Sequence, residues 1–444
     1  MKPYEQYKPS GVEWLGDVPA HWEVKRLKFL GEIILGLTYS PDDISTDEND
    51  TLVLRSSNVQ NGKLVFDDNV FVNKDIPSKM ITTQDDILIC SRNGSRALIG
   101  KCALIEGQAI GQTFGAFMTV FRTPYKRFVY YYLNSDVFKA QLGNFLTSTI
   151  NQLTTQVLGN LPIALPPLSE QTAIAAFLDE RTAYIDRLIE KQQALSAKLS
   201  EKRTALITEA VCGRLTPHAH PLKESGIQWL GKVPEGWEVC RLKHILECKK
   251  NSIKVGPFGS QIKGDDFISS GVPVYNQRTV LDNDFVNGTA FISEEKFEEL
   301  SGFEVEPFDI LITTRGTIGK IAVVPENCEK GIIHPCIIKF AIDRSKILDK
   351  LLIYIFNETN LIYEQFLLAS NTTTIPVVYS ETLKNVIFAL PPLEEQTAIA
   401  DFLDQETAKI DRLQAKIAES VARLKEYRAA LITQVVTGKY RVGG

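Results

Sequence analysis

Residues 164–188 read ALPPLSEQTAIAAFLDERTAYIDRL, and residues 389–413 read ALPPLEEQTAIADFLDQETAKIDRL. The two stretches agree at 20 of 25 positions, at an offset of 225 residues. A second pair, residues 10–30 and 225–245, agrees at 13 of 21 positions and shares the pattern SGxxWLGxVPxxWEV. Because both offsets are close to half of the 444-residue chain, the sequence consists of two repeats of one frame.

Each ALPPL stretch predicts the start of a long helix. The proline pairs Pro166-Pro167 and Pro391-Pro392 oppose a helix before them, and Gly213 and Gly438 are suitable helix ends. About 45 residues lie between each start and end, which at 1.5 Å per residue corresponds to a rod of roughly 65 to 70 Å. A helix of this length is too long to be covered by one small domain.

Apolar residues recur along both predicted helices at intervals of seven, which is typical of a coiled coil. The seam positions are Leu178, Ile185, Leu199 and Leu206 in the first helix and Leu403, Ile410, Ile417, Leu424 and Leu431 in the second. Gln192 interrupts the first seam with one polar residue. The simplest way to bury both seams is to pair the two helices. Only about ten residues, 214–223, follow the first helix before the next globular element, which favours an antiparallel pair with pseudo-two-fold symmetry.

The segments between the repeated stretches differ in sequence and are rich in strand-forming residues. Predicted strands are Thr51–Leu54, Ile87–Cys90, Ala116–Phe121, Val272–Tyr275, Ile310–Thr313 and Ile337–Ala341, and predicted short helices are Phe128–Leu133 and Leu348–Phe356. The predicted fold class is therefore α+β, with two β-rich domains separated by two long helices that pair as an antiparallel coiled coil. We place the first β-rich domain at residues 1–160, the first helical region at 161–216, the second β-rich domain at 217–385 and the second helical region at 386–444.

The composition is that of an ordinary soluble protein. The chain is 44 % hydrophobic and 23 % charged, and no apolar run is long enough for a signal peptide or a membrane span. We therefore expect a cytoplasmic protein without membrane contact. The formal net charge is −5, and the two variable segments, residues 31–160 and 246–388, carry net charges of −2 and −5. Charge alone thus gives no attraction for nucleic acid.

Motifs for catalysis are missing from the sequence. The string nearest to a phosphate-binding loop, Gly94 to Cys102, has the wrong spacing and no hydroxyl residue after Lys101. No HExxH, GxSxG or dinucleotide-binding turn is present, and the seven cysteines form no CxxC pair. We predict no catalytic and no metal-ligating residues, so a binding function is favoured. Loops rich in Arg, Asn, Gln, Ser and Thr suit contacts to base edges and phosphates, although such residues also occur in ordinary loops.

The doubled SGxxWLGxVPxxW and LPPLxEQxAIAxFLD motifs, each flanking a dissimilar segment, resemble the specificity subunit of a Type I restriction-modification system. The resemblance covers nearly the whole chain. It implies two target recognition domains that read an interrupted sequence of double-stranded DNA. It also implies a non-catalytic subunit that binds two modification subunits and the restriction subunits. S-adenosylmethionine, ATP and Mg are then expected on those partners, and none is expected on this chain.

The resemblance assigns DNA contacts to the loops of the variable segments. Gly256-Pro257-Phe258-Gly259-Ser260 and Thr314-Arg315-Gly316-Thr317 resemble strings of recognition domains, and the first segment lacks the Gly-Pro-Phe-Gly-Ser string. The expected DNA contacts are Arg55, Ser57, Asn58, Arg92, Asn93, Ser95, Arg96, Ser260, Gln261, Lys263, Asn276, Gln277, Arg278, Arg315, Thr317, Asn371 and Thr372.

The helical regions are expected to form the coiled coil and the subunit interface. Their expected residues are the seam positions together with Glu170, Gln171, Glu395 and Gln396. The repeated tryptophans Trp14, Trp22, Trp229 and Trp237 either pack in a core or stack on bases, and the core is favoured because they belong to the repeated frame. Two other functions stay open at this point: an enzyme with an unrecognised nuclease or methyltransferase site, and a coiled-coil adaptor for proteins only.

Overall fold

The computed structural model describes residues 2–145, 151–215, 221–249, 251–287, 290–369 and 377–442. The chain forms two compact units, one made of residues 1–193 and 417–444 and the other of residues 194–416. Each unit contains one variable segment and a part of both long helices. These units follow contacts in space, whereas the domain boundaries predicted above follow the sequence repeat and stay predictions.

The first half of the chain contains fourteen strands and four helices among its described residues. The strands are β1 (Tyr7–Pro9), β2 (Asp17–Pro19), β3 (Glu23–Arg26), β4 (Glu32–Leu35), β5 (Ile44–Ser45), β6 (Thr51–Leu54), β7 (Val59–Gln60), β8 (Lys63–Leu64), β9 (Phe71–Val72), β10 (Ile87–Cys90), β11 (Cys102–Leu104), β12 (Thr113–Phe114), β13 (Met118–Arg122) and β14 (Pro162–Leu165). The helices are α1 (Lys126–Leu133), α2 (Asp136–Phe145), α3 (Thr155–Asn160) and α4 (Leu168–Val211).

A four-stranded sheet with the order β11-β10-β13-β4 forms the centre of the first unit, and all its strands are antiparallel. Strand β10 is apolar along its whole length because both faces of the sheet are covered. Ile87 and Ile89 point into one hydrophobic cluster, whereas Leu88 and Cys90 point into another. A second sheet has the order β12-β6-β9-β5, in which β12 and β6 are parallel.

The second half of the chain repeats this plan with eleven further strands and six helices among the described residues. The strands are β15 (Leu222–Glu224), β16 (Lys232–Pro234), β17 (Glu238–Arg241), β18 (Ile253–Val255), β19 (Val272–Tyr275), β20 (Ala290–Ile292), β21 (Ile310–Thr313), β22 (Ile321–Val323), β23 (Ile332–Ile333), β24 (Ile337–Phe340) and β25 (Ile387–Leu390). The helices are α5 (Gln277–Asp282), α6 (Glu294–Glu299), α7 (Asp349–Asn357), α8 (Leu361–Ala369), α9 (Ser380–Lys384) and α10 (Leu393–Val436).

The variable segments share one topology although their sequences differ. The sheet β22-β21-β24-β18 of the second unit has the same order as β11-β10-β13-β4 of the first. The parallel pair β19 and β23 likewise corresponds to β6 and β12. All six predicted strands and both predicted short helices are present within a few residues of their predicted bounds. The internal repeat therefore extends through the whole fold.

The long helices α4 and α10 each have 44 residues, and both end before a glycine with positive φ, Gly213 and Gly438. Within the first unit, Arg428 Nε donates to Asp186 Oδ1 at 2.8 Å and Gln192 Nε2 donates to Ser420 Oγ at 3.0 Å. As the residue numbers rise along α4, those of the contacting residues on α10 fall, so the two helices are antiparallel there.

The second unit gives the same result. Gln414 Nε2 donates to Ser200 Oγ at 2.7 Å, and Arg203 Nε donates to Asp411 Oδ1 at 3.1 Å. The predicted antiparallel pairing is confirmed. Leu178, Ile185, Leu403, Ile410 and Leu431 are buried, and the remaining seam positions are half-buried, namely Leu199, Leu206, Ile417 and Leu424. None of the described helices combines the length and the apolar character needed to cross a membrane.

The repeated Glu-Gln pairs lie outside this seam, at the start of each long helix. Glu170 Oε2 accepts from Trp22 Nε1 at 2.8 Å, and Glu395 Oε2 accepts from Trp237 Nε1 at the same distance. Both indole rings are fully buried, so the core packing favoured for these two tryptophans is correct. Trp14 is partly buried against the first core, whereas Trp229 is 40 % exposed, so the expectation is wrong for Trp229.

The glutamines of these pairs are also used within the chain. Gln171 Nε2 donates to the Pro166 carbonyl at 2.7 Å, and Gln396 Nε2 donates to the Pro391 carbonyl at 2.9 Å. Both side chains are almost completely buried. The pairs therefore attach each helix to its own unit, and their expected role in a subunit interface stays a prediction.

Candidate nucleic-acid interface

Two polar loops of the first unit meet where β6 and β10 end. The loop after β6 carries Arg55 and Ser57, and the loop after β10 carries Arg92 and Asn93. Asn93 Nδ2 donates to Ser56 Oγ at 2.9 Å, which joins the two loops directly. Four of the residues expected to contact DNA are thus brought together.

Lys101, which directly precedes β11, holds the loop after β6 in place. Its Nζ donates to the carbonyls of Ser56 at 2.6 Å and Val59 at 2.9 Å. Burial lowers the pKa of Lys101. In the second unit Lys320, which belongs to the matching Gly-Lys pair, donates to the Asn357 carbonyl at 2.6 Å. These lysines are therefore used to position backbone, which agrees with the absence of a phosphate-binding motif around them.

The joined loops border a cleft of about 1110 Å³. Its lining includes Arg55, Ser57, Arg92 and Asn93, together with residues that the sequence did not single out. Those additional residues include Thr38, Tyr39, Ser40, Asp68, Phe117 and Gln152. An open groove with aromatic and polar walls is a suitable shape for a ligand with flat, polar edges.

The charges in this cleft are unequal. The guanidinium of Arg55 forms an ion pair with Asp68 at 2.8 Å, so its charge is compensated. Arg92 is exposed, its Cζ lies 5.1 Å from the centre of the Phe117 ring, and its guanidinium makes no hydrogen bond or ion pair with the described residues. Among the described residues, no other charged side chain lines the cleft. The cleft thus has a net charge of +1 in a unit whose variable segment is net acidic.

Two polar atoms of the cleft have no hydrogen-bond partner among the described residues. They are Ser57 Oγ and Arg55 Nε, and both are buried from solvent. Most buried polar atoms in native proteins are hydrogen-bonded, because leaving one unpaired costs free energy. Because both atoms are closed off from solvent, they are not open to a ligand in the cleft, and Arg92 is the arginine of the cleft that is.

The other expected contacts of the first unit lie elsewhere. Asn58 is fully buried, and its amide accepts from Arg55 N at 2.8 Å and donates to the Val65 carbonyl at 3.0 Å. It therefore holds the turn and is not placed to reach a ligand. Ser95 and Arg96 are exposed and lie outside the cleft lining, and Arg96 Nη2 donates to the Gly143 carbonyl at 2.8 Å.

The second unit brings the corresponding loops together after β19 and β21. A Cβ atom on Gly316 would lie 3.3 Å from Gln277 Nε2, so the two loops are in contact. Arg315 and Thr317 are exposed, and the side chain of Arg315 forms no hydrogen bond or ion pair with the described residues. Arg315 thus occupies the position that Arg92 has in the first unit.

The remaining side chains of the second unit have local roles. Asn276 Oδ1 accepts from Arg278 N at 2.8 Å and caps α5, while Arg278 Nε donates to Asp282 at 3.0 Å. Gln261 Oε1 accepts from Phe258 N at 3.0 Å, and Lys263 is exposed. Ser260 lies in the turn Gly259–Gln261. Asn371 and Thr372 lie outside the described residues.

The two units share one further loop, which their sequences alone do not reveal. The loop after β4 reads Gly36-Leu37-Thr38-Tyr39-Ser40, and the corresponding loop after β18 reads Gly256-Pro257-Phe258-Gly259-Ser260. A Cβ on Gly36 would lie 2.1 Å from the Gly115 carbonyl oxygen, and a Cβ on Gly256 would lie 2.3 Å from that of His334. Both loops begin with a glycine that lies against a backbone carbonyl, and both have a serine four residues later. The first unit therefore has this loop in a different sequence.

Among the described residues, no three His, Cys, Asp or Glu side chains gather where they could hold a metal ion.

The family described as "Type I restriction modification DNA specificity domain" matches this chain twice, at residues 19–197 and 234–423. The chain belongs to this family. It is a specificity subunit, which recognises DNA and is itself neither the methyltransferase nor the nuclease of its system.

Full-length relatives agree with this assignment. The specificity subunit of the Type I restriction enzyme StySPI from Salmonella potsdam is 24 % identical, covering 96 % of this chain and 90 % of the relative. The EcoKI specificity subunit from Escherichia coli (strain K12) is 22 % identical with the same coverage. A putative MjaX specificity subunit from Methanocaldococcus jannaschii is 25 % identical, covering 99 % of this chain and 97 % of the relative.

Solved structures share the fold of this specificity subunit. A chain from a study of complex assembly and conformational transition in the Type I R-M system has a TM-score of 0.68 at 20 % identity, covering 95 % of this chain and 99 % of that chain. The HsdS subunit from Thermoanaerobacter tengcongensis has a TM-score of 0.50 at 21 % identity, with coverage of 95 % and 98 %. The pseudo-repeated α+β fold with two long helices is therefore that of a specificity subunit.

Proposed function

We propose that this specificity subunit reads an interrupted DNA sequence in two half-sites, one through the loops of each unit. The observation that carries the proposal is the matching position of Arg92 and Arg315. Each follows the buried central strand of its unit, is exposed, and has a guanidinium without a partner among the described residues. Arginine is the side chain that most often reads a base edge specifically, and it also binds phosphates.

The two half-sites are expected to differ. The loops that accompany the two arginines share their fold but few of their residues, as Arg55-Ser56-Ser57 in the first unit and Asn276-Gln277-Arg278 in the second illustrate. Different donors and acceptors select different base pairs. The recognised sequence should therefore be asymmetric.

The long helices are expected to set the separation of the half-sites and to bind partner subunits. A helix of 44 residues is about 66 Å long, the length of roughly 20 base pairs. Large apolar side chains are exposed on both helices, which supports a surface for protein partners. They include Tyr184, Leu195, Leu413 and Tyr427, each at least 50 % exposed.

The partners that we propose are two modification subunits and the restriction subunits. S-adenosylmethionine, ATP and Mg are assigned to those partners, because methyl transfer and cleavage need them and this subunit serves recognition. Much of the neutralisation of DNA phosphates should also come from the partners, since this chain has a net charge of −5.

Selection from a pool of randomised duplexes tests this function. The purified subunit alone is expected to bind DNA weakly, and its complex with modification subunits is expected to enrich one interrupted, asymmetric sequence. Sequencing of the bound fraction measures both the bases and the spacer. A complete complex that enriches no sequence would disprove the proposal.

A further inference from the structure

We propose that the cleft of the first unit binds the major-groove edge of a guanine in the first half-site, with Arg92, stacked on Phe117, as the residue that selects it. This inference rests on the proposed DNA recognition and names the base that this cleft would read. It is carried by the side chains of the cleft, by their hydrogen-bonding state and by the contrast with the second unit.

The cleft offers one guanidinium that is open to a ligand and has no partner among the described residues. It belongs to Arg92, whose side chain is exposed in the lining of the cleft. In the major groove, guanine presents two acceptors, N7 and O6, whereas adenine presents one acceptor and one donor. A guanidinium can donate to both acceptors of guanine at once, so the unpaired Arg92 favours guanine.

The position of Phe117 favours a base contact by Arg92 over a phosphate contact. The ring is 56 % exposed and lies 5.1 Å from Arg92 Cζ, so it supports the guanidinium from one side. A guanidinium held on an aromatic face loses little further freedom when it binds, and it can direct two N–H groups at one base.

The second unit provides an internal contrast. In the first unit, the backbone carbonyl of Phe117 accepts from Ser91 N at 3.0 Å. In the second unit, the backbone carbonyl of Cys336 accepts from Thr314 N at 3.1 Å, so Cys336 takes the place of Phe117. The residue beside Arg315 is thus a cysteine where the residue beside Arg92 is a phenylalanine. Arg315 has no ring beneath it among the described residues, so the stacked arginine is a feature of the first half-site.

The test uses the full chain in complex with modification subunits, after the wild-type target has been defined by selection from randomised duplexes. Arg92→Ala is expected to bind the wild-type target roughly 10- to 100-fold more weakly and to lose its preference for guanine at one position of one half-site. Phe117→Leu should weaken the same preference by a smaller factor. The other half-site should be read as in the wild type by both variants.

Arg181→Ala is the matched control, because Arg181 lies over the Phe177 ring at 5.7 Å on α4, away from the cleft. It should keep the guanine preference. Thermal unfolding of every variant shows whether the fold is retained, and Arg92 is exposed, so its removal should leave stability unchanged.

Three results would overturn the assignment while the proposed function stands. One is a first half-site without a guanine, and another is an Arg92→Ala complex that keeps every base preference. The third is an equal loss of affinity for all sequences with a shallower salt dependence, which marks a phosphate contact. A wild-type complex without any sequence preference would instead disprove the proposed function itself.

Discussion

At the scale of single residues, two glycines support the loops that we assign to DNA. Gly36 and Gly256 each face a backbone carbonyl so closely that a Cβ would lie 2.1 Å and 2.3 Å from its oxygen. No side chain other than hydrogen fits there unless the backbone moves. The loops that follow, with Tyr39 in the cleft of the first unit and Phe258 in the second, therefore depend on glycine for their position.

Gly256→Ala is expected to lower the free energy of unfolding by about 1 to 3 kcal/mol, since the added methyl group must displace backbone. Urea unfolding followed by tryptophan fluorescence measures the change. Gly302→Ala is the control, because a Cβ there meets no atom within 4 Å and its φ is not positive. Equal stabilities of the two variants would show that the close approach to His334 has no energetic role.

At the scale of elements, the sequence predicted most of the long helices and little of the cleft. Proline pairs, terminal glycines and the seven-residue apolar interval were sufficient to predict α4, α10 and their antiparallel pairing. They did not reveal the contacts of Glu170 with Trp22 and of Glu395 with Trp237, because repetition within a chain does not distinguish a contact inside one unit from a contact with a partner. The cleft joins residues as distant in sequence as Tyr39 and Gln152, and such proximity results from the order of strands in the sheet.

Each long helix is held to its recognition domain by a hydrogen bond from tyrosine to aspartate. Tyr131 Oη donates to Asp179 Oδ1 at 2.6 Å in the first unit, and Tyr354 Oη donates to Asp404 Oδ1 at 2.6 Å in the second. Burial, followed by the hydrogen bond to Asp404, raises the pKa of Tyr354 to about 12, so this donor keeps its proton above the pH at which a free tyrosine ionises. We propose that the length of these attached helices determines the distance between the half-sites.

Removing one heptad from each helix, residues 192–198 and 414–420, should shorten the tolerated spacer by about three base pairs. The deletion removes roughly 10 Å of paired helix, and DNA rises 3.4 Å per base pair. Selection from duplexes with graded spacers measures the effect. Gln192→Leu is the control of unchanged length and should keep the wild-type spacer. If the shortened complex prefers the original spacing, the helices do not set it.

At the scale of the whole molecule, the charge distribution resolves the conflict between net acidity and DNA binding. The first variable segment has a net charge of −2, yet the cleft within it has a net charge of +1. One uncompensated arginine thus lies at the surface that we assign to DNA. A low overall charge limits binding to arbitrary sequences, because nonspecific affinity comes almost entirely from phosphate contacts.

The internal repeat further predicts that half of the chain can assemble with itself. The core of the first unit includes Leu431, Ile432, Val435 and Val436 from the end of α10. At the repeat offset of 225, the end of α4 has Leu206, Ile207, Ala210 and Val211 in the same places. A chain ending at Leu215 lacks the end of α10, but a second copy can supply the equivalent residues.

This half-chain is therefore expected to form a dimer and, with modification subunits, to select a palindrome built from the first half-site. Analytical ultracentrifugation measures the mass, and selection from randomised duplexes measures the target. Ile207→Asp in the half-chain should abolish the dimer, because a carboxylate would replace a side chain that belongs in a dry core. Glu201→Asp, a substitution at an exposed position of the same helix, should leave it intact. A folded monomer at micromolar concentration, or an asymmetric target, would show that the two ends of the repeat are not interchangeable.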